Sequence, residues 1–244
     1  MDITFLYHSG FLVETRRHIL LFDYYLDTPK GGGLSDGVFS PRQWREKDVL
    51  VFVSHAHSDH YNPDIWAFSD TIPRLRYLLS QDVPAPKTQP GVYSLGGEEA
   101  LELEDLTVRT LTSTDEGVAF VVSVDGQAIY HAGDLNWWHW DGEPEEENRE
   151  MARRYQEQIQ ALAALGPLDA AFVPVDPRLE RTALWGLDEL MRQVPVRLAI
   201  PMHFTEDPAV FERIQSDPIT QPYRQRVCGP LTRGQTIHIQ DLQR

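Results

Sequence analysis

The feature that most constrains this 244-residue chain is His55-x-His57-x-Asp59-His60, placed directly after the apolar run at residues 49–53. That run is β-branched and aromatic, which predicts a strand buried on both faces. Four ligand-type side chains therefore leave one strand end together. In an extended segment residues i, i+2 and i+4 project to one side, so His55, His57 and Asp59 can converge while His60 serves a neighbouring point. Neutral imidazole nitrogen and carboxylate oxygen suit a borderline divalent metal such as zinc. With nine His and twenty Asp, a shuffled chain would show this pattern on the order of once in a thousand trials. The motif therefore reads as a metal site.

Composition narrows the setting. Lys and Arg number 22 against 37 Asp and Glu, a net charge of −15, which repels phosphate backbones at long range. Nucleic acid is not an expected partner. No apolar run approaches the roughly 18 residues that cross a bilayer, and the first residues lack a basic stretch followed by an apolar one. We expect a cytoplasmic protein acting on a small molecule, with no membrane association. Cys228 is the only cysteine, which excludes an internal disulfide and a cysteine-based zinc finger. The Lys30-Gly-Gly-Gly segment is not a phosphate loop, because its lysine precedes the glycines.

Short apolar segments and turns at residues 3–22 predict an antiparallel meander. The spacing predicts short helices over 63–68 and 74–79, a strand ending near Leu111, and a hairpin of 118–124 with 128–132 around Asp125-Gly126. Residues 144–165 predict the best helix, with Glu145, Glu146 and Glu147 in its first turn and an apolar stripe of Met151, Tyr155, Ile159 and Leu162. Buried strands are expected at 170–175 and 196–200, a helix between them at 187–193, and a last strand at 235–239. The chain reads as one domain over 1–244, built of two β-rich halves meeting near 105–115.

A single motif cannot fill two metal sites, so further ligands are expected at other strand ends. Asp134, in Tyr130-His-Ala-Gly-Asp, closes the hairpin strand, and Gly133 lets the backbone approach closely. His203, in Pro201-Met-His, sits at the mouth of another buried strand.

With these residues in place the sequence resembles the metallo-β-lactamase fold superfamily over nearly its whole length. Tyr7-His-Ser-Gly, Leu20-Leu-Phe-Asp23, the histidine signature, Gly133-Asp134, Pro201-Met-His203 and Arg233-Gly-Gln-Thr-Ile carry the resemblance. Within it, the chain is similar to the stand-alone hydrolases of the ascorbate-6-phosphate lactonase type. The resemblance implies an α/β fold, a four-layer αββα sandwich, with a dinuclear site. It implies His55 and His57 on a first metal, Asp59, His60 and His203 on a second, and Asp134 with a hydroxide between them. Relatives carry another first-site histidine where this chain has Thr112-Ser-Thr-Asp-Glu-Gly. An ungapped overlay puts Ser113 there, and Asp115, two residues on, offers a carboxylate that can replace the imidazole or cap the turn before Gly117.

The expected activity is metal-dependent hydrolysis by a metal-bound hydroxide, with Asp59 and Asp134 catalytic and two zinc ions, or manganese or iron, as cofactor. Lactones, esters and phosphodiesters suit that chemistry. A non-catalytic or mononuclear metal-binding module of the same fold is the alternative, and a di-iron redox protein is disfavoured by His57 where such proteins would carry Glu. Pocket candidates are His8, Asn136, Trp137 and Arg178, the last reading equally as a holder of a substrate anion or as half of a local Arg-carboxylate pair. His131, out of phase with Asp134, is expected to be structural. The sequence does not fix the oligomeric state.

Overall fold

The computed structural model describes residues 1–204 and 207–239. Their contacts divide the chain into two compact units, residues 1–96 with the segment from Leu231 onward, and residues 97–230.

The first unit is one mixed sheet. Its strands are β1 (Asp2–Tyr7), β2 (Gly10–Glu14), β3 (His18–Phe22), β4 (Asp48–Val53), β5 (Leu75–Ser80) and β6 (Val92–Leu95), in that spatial order, with the closing strand Thr236–His238 beyond β1. β1 to β3 form the expected meander, and β3 to β6 are mutually parallel. Because β2 reverses the chain once on each side, β1 runs the same way as β3 and β4. Residues following β1, β3 and β4 therefore all emerge at one edge of the sheet. The core beneath it joins Leu21, Val51, Val53, Tyr77 and Leu79 to Ile65 and Phe68 of a short 3-10 helix, Pro63–Asp70.

One expected element is corrected here. Residues 74–79 are not a helix but the parallel strand β5, paired with β4 on one side and β6 on the other. A six-residue apolar run is too short for periodicity to separate a buried strand from a helix, and Tyr77, Leu78 and Leu79 are fully buried.

The second unit is a six-stranded sheet: β7 (Ala100–Leu103), β8 (Leu106–Thr112), β9 (Val118–Val124), β10 (Gln127–His131), β11 (Leu168–Pro174) and β12 (Val196–Met202), laid out from β7 to β12 in sequence order. β7 to β10 are antiparallel neighbours, and β10, β11 and β12 are parallel. The β9–β10 hairpin turns on Asp125 and Gly126, both at positive φ (50° and 78°), as a two-residue loop requires. Among the described residues three α-helices accompany the sheet: α1 (Glu145–Ala164), α2 (Trp185–Gln193) and α3 (Ala209–Ser216). The acidic first turn of α1 favours its dipole, and Tyr155, Ile159 and Leu162 are its buried stripe. In this unit β8, β10, β11 and β12 share one direction, so their carboxyl ends also lie along one edge. Among the described residues no helix is long and apolar enough to cross a membrane.

Candidate metal centre

Every expected ligand follows one of those carboxyl ends, the edge where parallel sheets place their ligands. In the first unit β4 delivers Ser54, His55, His57, Asp59 and His60; β3 delivers Asp23 and β1 delivers His8.

Asp23 is fully buried and organises this group. Its Oδ1 accepts from the Ser54 backbone N–H at 2.8 Å, its Oδ2 from the Ser54 hydroxyl at 2.7 Å, and Oδ2 lies 2.8 Å from His60 Nδ1. A carboxylate only accepts, so His60 carries its proton on Nδ1 and presents Nε2 as a lone pair. The Ser54 hydroxyl has spent its proton on Asp23. Its oxygen, 3.0 Å from His55 Nδ1, therefore accepts from that ring and leaves His55 Nε2 as a second lone pair. One carboxylate thus sets the tautomers of two histidines. His55 Nε2 then lies 3.0 Å from His57 Nδ1, and His8 Nε2 lies 3.5 Å from Asp59 Oδ2.

The second unit has a parallel arrangement. Asp134 follows β10 after Gly133 (φ 53°), Asp176 follows β11, and His203 follows β12. His203 Nδ1 lies 3.0 Å from Asp176 Oδ2, which directs Nε2 toward Asp134 Oδ1, 3.5 Å away. Asp176 is fully buried. Burial pushes its carboxyl up, but hydrogen bonds from His203 and Arg178 outweigh it and hold the group well below the usual carboxylate range. Asp115 and Asp134 bring carboxylate oxygens within 4.8 Å of each other. The loop carrying Asp115 is tied to that of Asp134 by Thr114, whose hydroxyl donates to the Asn136 carbonyl at 2.7 Å and accepts from the Asn136 N–H at 3.0 Å. The turn is capped by the Ser113 hydroxyl, which accepts from the Asp115 N–H at 3.1 Å.

These separations fit a cation. Ligand atoms about 2.1 Å from one ion stand roughly 3.0 Å apart in an octahedral and roughly 3.4 Å apart in a tetrahedral arrangement. The 3.0 Å and 3.5 Å pairs match those edges. The backbone tells the same story. His8, Asp23 and His203 are three of the few non-glycine residues at positive φ (55°, 41° and 62°), a conformation retained where surrounding structure enforces it.

The pocket candidates fall in different places. His8 is buried beside His60, with ring centroids 5.7 Å apart. Asn136 is buried against Gly186 of α2, where a Cβ would come within 2.0 Å of its Oδ1. Trp137 packs on Trp185 and Tyr155. Arg178 grips Asp176, its Nε donating to both carboxylate oxygens at 3.0 and 2.9 Å. His131 is fully buried, accepts from the Gly133 N–H and lies on Phe172, which is a structural environment.

Sequence reasoning assigned no role to Asp23 or Asp176. Each closes an apolar strand run, Ile19-Leu-Leu-Phe and Ala170-Ala-Phe-Val-Pro-Val, and a lone carboxylate ending a buried strand is the signal that finds both.

Comparisons with known proteins agree with this geometry. The family model described as the beta-lactamase superfamily domain matches residues 2–147. A UPF0173 metal-dependent hydrolase of Opitutus terrae is 28% identical over 98% of this chain and 100% of its own length. Another, from Pelotomaculum thermopropionicum, is 24% identical over 87% of this chain and 90% of its own. Among solved structures, the metallo hydrolase Igni18 of Ignicoccus hospitalis superposes with a TM-score of 0.62 at 17% identity, covering 97% of each chain. A mutant of the β-hydroxylase CmlA gives 0.63 at 14% identity over 98% of this chain and 54% of its own. The α/β fold is thus of the metallo-β-lactamase type, and the chain belongs to the beta-lactamase superfamily domain family.

Proposed function

We propose that the chain is a metal-dependent hydrolase of small molecules, working in the cytoplasm with zinc as its metal. The observation that carries this reading is the repeated couple of a buried carboxylate and a buried histidine, Asp23 with His60 and Asp176 with His203. Such couples fix the tautomer of a metal-binding imidazole and raise its basicity. Unpaired with a metal, two such arrangements at strand ends would be an expensive way to bury charge.

In this reading His55, His57, Asp59 and His60 of the first unit and Asp134 and His203 of the second serve the dinuclear centre that the family resemblance implies, with Asp115 completing the first site. Bound divalent cations would supply Lewis acidity and bring the pKa of a coordinated water near neutrality. The remaining work belongs to side chains. Asp59 Oδ atoms orient the attacking water, and Asp134 keeps a fixed negative charge beside the reacting group. Lactones, esters and phosphodiesters are the substrates this chemistry suits. The loop at 112–117 favours a second reading in which a single metal is held at the Asp59, His60, Asp134 and His203 end, because that loop offers only the exposed carboxylates of Asp115 and Glu116 and no imidazole.

The test is hydrolysis of a panel of lactones, aryl esters and bis(4-nitrophenyl) phosphate by protein loaded with zinc or manganese, beside chelated protein. Turnover of at least one class, abolished by chelation and restored by metal, is expected. Metal-loaded protein inert toward every class would leave a metal-binding module.

A further inference from the structure

Asp134 and His203 both stand beyond the last ladder hydrogen bonds of their strands. Asp134 follows a left-handed glycine, and His203 is itself left-handed. Strand geometry therefore does not aim either side chain. Something else in the second unit must, and the structure contains a closed ring of contacts that does so.

From the backbone carbonyl of Asp134 the ring runs to Trp138, whose indole N–H donates to it at 2.9 Å. The Trp138 ring meets the His203 imidazole edge-on, with centroids 5.5 Å apart and planes at 65°, and lies parallel to Trp140 within 4° at 6.3 Å. Trp140 is more than a third exposed, yet it is anchored. Its N–H donates to Asn148 Oδ1 and its carbonyl accepts from Asn148 Nδ2, at 3.1 and 2.9 Å. The Arg178 guanidinium lies 5.9 Å from the centre of the Trp140 ring and grips Asp176, and Asp176 holds His203 Nδ1. His203 Nε2 facing Asp134 Oδ1 closes the circuit. Leu179 and Ala183 pack on Trp138 from the segment after β11. Three successive strand-end loops are joined by these contacts.

We propose that Trp138 and Arg178 are positioning residues for metal binding: Trp138 fixes the Asp134 backbone and the His203 ring, and Arg178 fixes the Asp176 carboxylate that orients His203. The proposal rests on the reading of Asp134 and His203 as metal ligands. Neither Trp138 nor Arg178 need touch the cation. Their contribution is to remove the freedom that two ligands would otherwise lose on binding it, so it shows as affinity. Arg178 is thus a brace for the metal half-site, and the planar fork matters as well as the charge, because Nε donates to both Asp176 oxygens while Nη2 donates to Oδ2.

The test compares Trp138→Phe, Arg178→Lys and Arg178→Gln with the wild type. Zinc affinity is measured by competition with a chromogenic chelator, the visible spectrum of the cobalt-loaded protein is recorded, and the melting temperature of the metal-free protein is taken. Trp138→Phe keeps an aromatic ring but loses the N–H. It should bind zinc about 10-fold more weakly, and Arg178→Gln about 10- to 100-fold more weakly, with Arg178→Lys closer to Gln than to wild type. The cobalt spectra should shift in all three. Wild-type affinity and spectra in all variants, or a lowered melting temperature alone, would make the ring structural packing and overturn the proposal. Failure of the wild type to bind zinc would overturn the ligand reading itself, and this proposal with it.

Discussion

The two units arrive at the same arrangement from opposite kinds of sequence. In the first, four donors come from six consecutive residues after one strand, and the supporting Asp23 comes from the neighbouring parallel strand. In the second, Asp115, Asp134, Asp176 and His203 come from four strand ends spread over almost ninety residues. Yet each unit ends with a buried carboxylate behind the Nδ1 of a buried histidine, at 2.8 Å and 3.0 Å. The comparison separates two ways of building a site: a local motif fixed by chain spacing, and a topological one fixed by which strands are parallel neighbours. The local version needs one organiser, Asp23, which holds His60 directly and His55 through Ser54. The topological version needs a web of supports.

The comparison breaks most visibly at Asp134. Asp134→Asn keeps the shape of the side chain but not the charge that the proposed dinuclear centre calls for, and turnover should fall by more than about 100-fold with the fold intact. His131→Gln, three residues away in a structural setting, should lower the melting temperature more than the rate. Unchanged activity in Asp134→Asn would make that residue structural.

The supporting carboxylates come next. Asp23→Ala and Asp176→Ala should each weaken metal binding by about 10- to 100-fold, as loss of a histidine's outer partner does. If the units differ as described, Asp23→Ala disturbs two histidines and Asp176→Ala one, so the former should be the more damaging. Equal losses would show that Ser54 does not transmit the effect of Asp23 to His55.

A smaller effect is expected at Asp115. Asp115→Ala should lose the more weakly held of two metals and part of the activity, whereas Asp115→His should tighten zinc. An alanine variant that keeps two tightly held metals and full activity would show that the carboxylate is no ligand.

The smallest prediction lies away from the site. Burial pushes the Tyr77 hydroxyl up to about 12, and that hydroxyl donates to the Ile65 carbonyl at 2.9 Å. The folded state therefore holds the neutral phenol while the unfolded chain ionises near its ordinary pKa of about 10. The stabilisation is complete below pH 10 and is lost as pH rises through 12. Tyr77→Phe should flatten the fall in stability over that window. A wild-type curve already flat there would contradict the assignment.

What could be read in the chain follows the same division. His55 to His60 announce themselves because extended backbone repeats every two residues, and the turn at Asp125-Gly126 and the stripe of α1 are equally local. Asp134 and His203 were legible as strand-end residues, but their roles came from family resemblance, since no spacing in sequence brings β10 and β12 to one edge. The sequence leaves Arg178 open between a substrate anion and a local carboxylate, and the two-residue pair with Asp176 is what forms; Asp176 has no role of its own there, because its pairing with His203 joins residues 27 apart. β5 is illegible for the converse reason: its burial is set by β4 and β6, and six residues carry too little periodicity to reveal it.

In the reading proposed above, these strand-end donors exist to hold metal. Elemental analysis of protein purified without chelator, then offered zinc and desalted, tests it most directly, with His55→Ala/His60→Ala and Asp134→Ala/His203→Ala as the two half-site controls. Two zinc ions per chain are expected in the wild type, with a clear loss in both double variants. Wild-type protein without stoichiometric zinc, manganese or iron, even after metal is offered, would contradict that reading.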